Sequence, residues 1–328
     1  MTTYLNPSNV PLSVAVYLAT DNYDYDPNTI SATGLIRPLR QIVLARRVPN
    51  EENVTDISQM LKSRMGSSIH DGIEQAWLKN AERAMATLGY PAQLIRRIKV
   101  NPEEGSLQEG DIPVWLEKRT QRAIAGHTLS GKFDFVAEGM VEDFKSTGTF
   151  TWTNLRAGSQ KEEDYKLQGS IYRWLNPEII TADHIAINFL FTDWSPAFVK
   201  PDSNYPKSPV ERKLIPLMSL QETEAYIRRK LEQIDRYMDA EESEVPRCTD
   251  HELWRSEPVF KYYKNPDKRG RATKNFDNHN DAYQKLIDDG GVGIVIEKPG
   301  TVRACKYCPA FAACSQKDEL IASGELQL

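Results

Sequence analysis

Two aspartates and a lysine that lie close together in the chain have the side chains needed for metal-assisted phosphodiester hydrolysis. Asp143 follows Asp134 by nine residues, and Lys145 comes two residues later. If they lie on paired strands joined by a tight turn at 138–139, Asp143 and Lys145 share one face and Asp134 approaches them. Two carboxylates at one strand end suit Mg²⁺ or Mn²⁺. A lysine beside them can orient a water nucleophile or stabilise charge developing on a phosphate.

The competing interpretation is a hairpin whose charged side chains are simply solvated. Phe135, Val136 and Phe144 flank the three charged residues, and such apolar neighbours predict a buried strand pair. Unpaired acids are costly in a buried position. We therefore interpret the two aspartates and the lysine as a candidate active site.

Two further residue pairs are spaced to share one face of a helix. His70 and Glu74 are four residues apart, as are Gln168 and Tyr172, and such residues are neighbours on a helix. Neutral imidazole is a common metal ligand, and amide or phenol groups can hydrogen-bond a phosphate or a base. A surface or satisfied core histidine, and an amphipathic helix with a polar edge, would explain the same residues without a function.

The four cysteines are unevenly spaced. Cys248 stands alone, whereas Cys305, Cys308 and Cys314 form a C-x2-C-x5-C run. In a reducing compartment this clustering indicates metal ligation rather than disulfides.

A strongly basic segment, residues 261–274, lies between Cys248 and the cysteine run. Its six basic side chains face one acid, Asp267, for a local charge of +5, and they are Lys261, Lys264, Lys268, Arg269, Arg271 and Lys274. Tyr262 and Tyr263 are interleaved with them. Basic groups beside aromatic rings suit single-stranded nucleic acid, through phosphate neutralisation and base stacking. A solvated basic loop is the alternative.

The elements that must position these residues form a mixed α/β pattern. Apolar periodicity and turn signals predict a strand at 11–19, then a helix from Ser31 or Thr33 to Leu44, for which Pro38 leaves a strand at 41–45 as an alternative. A long helix is predicted over 56–88, with a break near Gly66. Strands at 114–126, 129–139 and 140–150, a helix at 162–175, a strand at 184–194 and a helix from Ser219, capped with Glu222, follow.

This order predicts three regions along the chain. Residues 1–55 form an N-terminal strand and helix segment packed on the core, and residues 56–240 form the core itself. Residues 241–328 form a C-terminal module that contains the cysteines and the basic segment as a loop.

Four motifs in this order resemble those of the RecB-like branch of the PD-(D/E)XK nucleases. They are Gly66-x3-His70, Gly131-x2-Asp134, Asp143-x-Lys145 and Gln168-x3-Tyr172, and the resemblance covers roughly residues 60–195, or to about 316 with the cysteines. It implies a restriction-endonuclease-like core: helix, three strands, helix and strand, with a mixed central sheet flanked by helices.

The same resemblance implies a metal-dependent DNA nuclease and gives each motif a role. His70, Asp134, Asp143 and the backbone carbonyl of Phe144 would hold Mg²⁺ or Mn²⁺, with Lys145 as the catalytic lysine. Gln168 and Tyr172 would contact the DNA. Glu74 is not fixed by the family pattern and is a candidate ligand for a second metal ion.

The cysteine run resembles that of the iron–sulfur members of this family, among them CRISPR-associated RecB-like exonucleases and AddAB-type helicase–nucleases. The resemblance implies a [4Fe–4S] cluster held by Cys248, Cys305, Cys308 and Cys314. This sequence departs from the pattern because the upstream cysteine of those families usually precedes the nuclease core, whereas Cys248 follows it. A structural Cys₄ zinc site is the alternative.

Composition limits the remaining possibilities. The 328 residues carry 46 acidic and 41 basic side chains, a net charge of −5 that argues against a simple DNA-coating protein. The N-terminus has no basic, apolar signal-peptide pattern, and the longest apolar runs fall short of a membrane span. We therefore expect a cytoplasmic protein that does not bind membranes.

We expect an exonuclease that acts on single-stranded DNA or DNA ends, similar to phage-encoded nucleases. An endonuclease and a catalytically silent DNA-binding or scaffold subunit are the alternatives. The sequence has no P-loop motif, so any helicase would be a separate recombination partner. A homo-oligomer is a further candidate assembly.

Overall fold

The computed structural model describes residues 3–20, 26, 28–49, 54–155 and 158–328. The helices are α1 Leu12–Ala19, α2 Ala32–Leu35, α3 Leu39–Ala45, α4 Leu61–Thr87, α5 Ala92–Arg97, α6 Thr149–Thr153, α7 Gln160–Leu175, α8 Leu220–Tyr237, α9 His279–Asp288 and α10 Ser315–Ala322. The strands are β1 Thr3–Leu5, β2 Thr29–Ser31, β3 Val54–Asp56, β4 Ile98–Val100, β5 Ile112–Leu116, β6 Arg119–Ile124, β7 His127–Lys132, β8 Phe135–Ala137, β9 Met140–Thr147, β10 His184–Phe191, β11 Val210–Pro216, β12 Val259–Tyr263, β13 Lys274–Phe276 and β14 Ile294–Lys298. The predicted mixed α/β class is confirmed.

The chain divides into two compact units. The first comprises Met1–Arg37 and Asn53–Asp235, and the second comprises Pro38–Glu52 and Arg236–Leu328. The division near residue 236 lies close to the predicted start of the C-terminal module. Residues 38–52, which the sequence placed with the N-terminal segment on the core, belong instead to the second unit.

Arg40 of α3 and Arg47, just after that helix, explain why residues 38–52 belong to the second unit. Arg40 is buried and donates hydrogen bonds to the carbonyl oxygens of Glu242 and Val245, at 3.3 and 2.8 Å. Arg47 donates to the carbonyl oxygens of Tyr237, Met238 and Ala240, the shortest bond being 2.7 Å to Ala240. One guanidinium group can donate hydrogen bonds to several carbonyls at once. Because these carbonyls are about two hundred residues away in the sequence, local sequence patterns give no sign of the bonds.

A six-stranded mixed sheet forms the centre of the first unit, in the order β11-β10-β9-β8-β5-β4. The pair β9–β10 is parallel, whereas β8–β9 and β5–β8 are antiparallel. Helix α4 packs on this sheet, where the rings of Trp77 and Phe135 lie 5.1 Å apart. A second sheet in the order β2-β7-β6 lies in the same unit.

Two of the three predicted core strands are each divided between the two sheets. Residues 114–126 form β5 and β6, and residues 129–139 form β7 and β8. The breaks fall at Glu117, whose φ is 47°, and at residues 133–134. The predicted turn at 138–139 is present, because Glu138 and Gly139 both have positive φ, and Gly126 has positive φ at the turn between β6 and β7. The two breaks place Glu117 just after β5 and Asp134 just after β7.

Two glycines allow helix α7 to pack closely against both sheets. Gly131 lies on a strand that the helix covers, and Gly169 lies on the helix itself. A Cβ at Gly131 of β7 would lie 2.5 Å from the Leu175 side chain, and one at Gly169 would lie 2.9 Å from Ile185 of β10. Side chains at these positions would push the helix away. The first of these glycines belongs to the motif that contains Asp134.

Several predicted elements differ in the structure. Residues 11–19 form the helix α1 rather than a strand, because a short apolar run does not distinguish the two and Pro11 is tolerated just before a first turn. The predicted helix at 31–44 is two helices separated at Pro38, and the alternative strand at 41–45 is absent. Helix α4 continues through Gly66 without the predicted break. The predicted capping box of Ser219 and Glu222 is confirmed.

The second unit contains an antiparallel sheet in the order β13-β12-β14, with α9 and α10. Tyr262 of β12 is fully buried, and its hydroxyl donates to Asp289 at 2.9 Å. A small apolar cluster of Leu253, Val302, Leu320 and Leu326 lies in the same unit. The sequence indicated a loop-rich module and missed this sheet, since its strands are short.

Candidate metal-dependent active site

Helix α4 presents His70 to the break between β7 and β8. The imidazole Nδ1 lies 3.4 Å from Oδ2 of Asp134, and Nε2 donates to the carbonyl oxygen of Phe144 at 2.9 Å. The Asp134 Oδ2 atom also accepts the backbone N–H of Phe144, at 3.0 Å. One imidazole, one carboxylate and one backbone carbonyl from three separate elements therefore converge.

A second acid, Glu117, joins this group and was missed in the sequence. One ligand atom from each of His70, Glu117 and Asp134 lies within 4.8 Å of the other two. Glu117 sits at the break between β5 and β6, and its backbone N–H donates to the Asp134 carbonyl at 3.0 Å. The available signal was the position of Glu117, directly after the apolar run at 114–116. Glu74, the candidate ligand for a second metal ion, is not part of this group.

Asp143 and Lys145 form an ion pair next to this group, and its carboxylate is buried. They lie two residues apart on β9, and the ammonium Nζ is 2.7 Å from Asp143 Oδ2. The Asp143 side chain is only 2% exposed. The alternation of side chains along the strand therefore places the two residues on one face, as the sequence predicted. We call His70, Glu117, Asp134, Asp143 and Lys145 the carboxylate site.

Gln168 and Tyr172 of α7 lie behind the ion pair. The Gln168 amide Nε2 is 2.9 Å from Asp143 Oδ1 and 3.0 Å from the Tyr172 hydroxyl. Both side chains are buried. Their observed contacts therefore fix the Asp143 carboxylate, which differs from the predicted direct contact with DNA.

The charges of the carboxylate site shift the pKa values of its members. Burial lowers the pKa of His70, but the hydrogen bond and charge of Asp134 outweigh it, so the net shift is upward. Burial raises the pKa of Glu117. It also raises the pKa of Asp143, against the opposing charge of Lys145. Burial lowers the pKa of Lys145, yet the charges of Asp143 and Asp134 produce a net rise.

A cavity of about 490 Å³ opens beside the carboxylate site. His70, Glu117, Lys132 and Asp134 line it, together with residues of α1 and α4 such as Tyr17, Arg64 and Ser68. Lys132 pairs with Glu117 at 2.5 Å. The cavity gives an ion or a phosphate an open approach to the acids.

The four cysteines all lie in the second unit, and we call them the cysteine group. Cys248 and Cys305 pack against the apolar cluster of that unit, and Arg40 Nε donates to Cys314 Sγ at 3.2 Å. Burial raises the pKa of Cys248 to about 12. Among the described residues, no three cysteines have Sγ atoms within 4.8 Å of one another. The cysteine group is thus not arranged as a ready tetrahedral metal site, whose sulfur atoms would be about 3.8 Å apart for Zn–S bonds of about 2.3 Å.

The basic segment is partly strand. Lys261 lies on β12 and Lys274 begins β13, whereas Lys264, Lys268, Arg269 and Arg271 are exposed on the connecting loop. The predicted stacking role of Tyr262 and Tyr263 is wrong, because both rings are buried. The exposed cations remain available to phosphates.

No helix among the described residues combines the length and apolar character needed to cross a membrane. No protein-family model matches this sequence, and no curated protein matches it. Among solved structures the chain is similar to SSO0001, with 16% identity, a TM-score of 0.38, and 67% of this chain and 80% of that chain covered.

Two further similar structures carry the name exonuclease. The phage-related exonuclease from Haemophilus somnus 129PT has 11% identity and a TM-score of 0.28, with 64% of this chain and 96% of that chain covered. A protein from Eubacterium rectale, provisionally named an exonuclease, has 13% identity and a TM-score of 0.35, with 71% of this chain and 85% of that chain covered. TM-scores this low do not establish a shared fold, so the functional inference depends on the geometry of the carboxylate site.

Proposed function

We propose that the chain is a metal-dependent deoxyribonuclease of the PD-(D/E)XK type, in its RecB-like branch. The observation that carries the proposal is the convergence of His70, Asp134 and the Phe144 carbonyl directly beside the Asp143–Lys145 pair. Imidazole and carboxylate ligands next to a lysine are the groups that metal-assisted phosphodiester hydrolysis requires.

The residues present fit a divalent cation. His70, Asp134, Asp143 and the Phe144 carbonyl would hold Mg²⁺ or Mn²⁺, which combine readily with oxygen ligands. When bound, such an ion supplies positive charge to the scissile phosphate and to the departing 3′ oxygen. The donor set is therefore chemically suited to the proposed reaction.

Lys145 acts as a hydrogen-bond donor in this proposal. The charges of Asp143 and Asp134 hold its pKa above the usual value, so the side chain is an ammonium group at neutral pH. It can orient the attacking water and stabilise negative charge on the phosphate, but it cannot take the proton from that water. Gln168 and Tyr172 keep Asp143 in place beside it.

DNA is the proposed substrate, and an exonuclease acting on single strands or DNA ends is the proposed mode. The motif resemblance supports this choice, as do the exposed cations at 264–271. The proposed setting is the cytoplasm, that of the host if the protein is phage-encoded. A helicase or recombination protein is the proposed partner, and self-association into a homo-oligomer is compatible with it.

A nuclease assay tests this proposal. The purified protein should degrade labelled DNA with Mg²⁺ or Mn²⁺ and stop with EDTA. Single-stranded, duplex and end-blocked circular substrates distinguish exonuclease from endonuclease action. Absence of cleavage of every DNA form with metal present would contradict the enzyme, and DNA binding without cleavage would favour the silent scaffold.

Substitutions connect the activity to the carboxylate site. Asp134→Asn should abolish cleavage while DNA binding, measured by fluorescence anisotropy, is retained. Lys79→Met, which alters an exposed lysine elsewhere on α4, is the matched control and should cleave normally. Equal loss in both variants would point to a general defect rather than to the site.

We also propose that the cysteine group holds a [4Fe–4S] cluster, with structural zinc as the alternative. The support is the C-x2-C-x5-C spacing and the presence of all four cysteines in one unit. Protein purified without oxygen should be brown, with absorption at about 400 nm. A colourless protein with one zinc ion per chain would overturn the iron–sulfur assignment.

A further inference from the structure

We propose that Glu117 is a ligand of the catalytic metal ion, and that the ion replaces Lys132 as the partner of its carboxylate. This inference rests on the proposed nuclease function and adds one residue to its metal site. The ligand atoms of His70, Glu117 and Asp134 already lie within 4.8 Å of one another. A single ion can therefore contact all three with only small side-chain movements.

Backbone hydrogen bonds hold Glu117 next to Asp134. The Glu117 φ of 47° is in the left-handed region, which residues other than glycine seldom adopt. Its N–H is bonded to the Asp134 carbonyl at 3.0 Å, and the Phe133 N–H donates to the Lys118 carbonyl at 3.3 Å. These two hydrogen bonds join residues 117–118 to residues 133–134, so they fix the distance between the Glu117 and Asp134 backbones.

The charges of the carboxylate site require a second free acid. The negative charge of Asp143 is balanced by Lys145 at 2.7 Å. Asp143 remains a proposed ligand, but because Lys145 offsets its charge, Asp134 is the one carboxylate of the proposed ligand set that adds net negative charge for a divalent ion. Glu117 supplies the second, because its partner Lys132 is 45% exposed and can turn towards solvent. An ammonium group that holds the carboxylate in the absence of metal thus gives way to the ion.

Measured Mn²⁺ binding tests this role apart from catalysis. Isothermal titration calorimetry would compare the wild-type chain with Glu117→Gln, which preserves the shape of the side chain and removes its charge. We expect at least about tenfold weaker Mn²⁺ binding. Lys132→Met should bind Mn²⁺ several times more tightly, because the competing ammonium is removed.

Glu138→Gln is the matched control. Glu138 is also a glutamate with left-handed backbone, φ 49°, but it lies at the turn between β8 and β9 and outside the metal-capable group. It should bind Mn²⁺ as the wild type does. Thermal melting of all variants identifies any that fail to fold, and the opposite shift expected for Lys132→Met keeps the inference testable in that event.

The outcomes separate this inference from the proposed function. If the wild type cleaves DNA while Glu117→Gln binds Mn²⁺ and cleaves like Glu138→Gln, Glu117 is not a ligand and the nuclease proposal stands. If Mn²⁺ binding depends on Glu117 but no DNA is cleaved, the ligand role stands and the nuclease proposal fails. Unchanged affinity in Lys132→Met would contradict the exchange of partners.

Discussion

The carboxylate site and the cysteine group are both clusters of metal-binding residue types, yet they are built differently. In the carboxylate site each acid faces a basic side chain: Asp134 faces His70, Glu117 faces Lys132, and Asp143 faces Lys145. In the cysteine group, Cys248 and Cys305 instead pack against apolar side chains. Ion pairs and hydrogen bonds fix the first arrangement without a metal ion. Among the described residues, no three cysteine Sγ atoms lie within 4.8 Å of one another, so a bound zinc ion would have to draw them together.

The largest effect should come from leaving the buried Asp143 unpaired. Lys145→Met should lower the free energy of unfolding by about 3–5 kcal/mol and abolish cleavage, because the carboxylate then has no cation. Adding Asp143→Asn should restore much of the stability but not the activity. Urea denaturation followed by tryptophan fluorescence measures both. Lys132→Met, at a more exposed pair, should cost no more than about 1 kcal/mol, and an equal loss in the two lysine variants would contradict the comparison.

A smaller loss of stability is expected when Arg40, which contacts the cysteine group, is replaced. Arg40 is 4% exposed, pairs with Glu242 and donates to Cys314. Arg40→Gln should destabilise the second unit by about 1.5–3 kcal/mol, since charged hydrogen bonds are lost in a buried place. Hydrogen exchange of the residues 236–328 would report it. Arg247→Gln, at an exposed pair with Glu319, is the control and should change stability by about 0.5 kcal/mol or less.

The pH dependence of the metal-free carboxylate site should reflect His70. Its folded pKa lies above the usual 6.5, because Asp134 outweighs the effect of burial. Protonation therefore contributes stability that is complete below pH 6.5 and is lost as the pH rises through the folded pKa. Urea unfolding in EDTA across this range should show the loss in the wild type and a smaller one in Asp134→Asn. An identical profile in both would show that Asp134 does not hold the imidazolium.

The smallest change should concern DNA binding by the second unit. Replacing Lys268, Arg269 and Arg271 by serine should reduce the salt dependence of binding, with a slope smaller by about 2 for single-stranded DNA. Cleavage at saturating DNA should be unchanged. Arg228→Ser with Arg229→Ser, on the exposed face of α8, is the control. A larger loss in the control than in the loop variant would place the DNA elsewhere.

Local signals explain what the sequence predicted correctly. The turn at 138–139, the helix α7 after Ser159, the strand β10 and the capping box at Ser219 each depend on residues that are neighbours in the chain. The approach of Asp143 to Lys145 follows from side-chain alternation on a single strand. These features need no knowledge of distant contacts.

Glu117 and the segment 38–52 depend on contacts between distant residues, and the sequence did not show them. Two long strands were predicted where the chain leaves one sheet for another, and Glu117 reaches Asp134 only because of that break. Arg40 reaches Val245 across about two hundred residues of sequence. Neither periodicity nor motif spacing contains such information. The burial of Gln168 and Tyr172 was missed for the same reason.

At Glu117 the left-handed backbone lowers the stability of the fold, while the side chain is needed for the proposed metal binding. Glycine would adopt this conformation without the penalty of about 1–2 kcal/mol that a side chain incurs. It would also remove a charge that Lys132 must otherwise neutralise. A library of variants selected only for thermal stability should therefore be enriched in glycine or asparagine at position 117, and the selected proteins should be stable but inactive. Selection for nuclease activity should instead retain the glutamate.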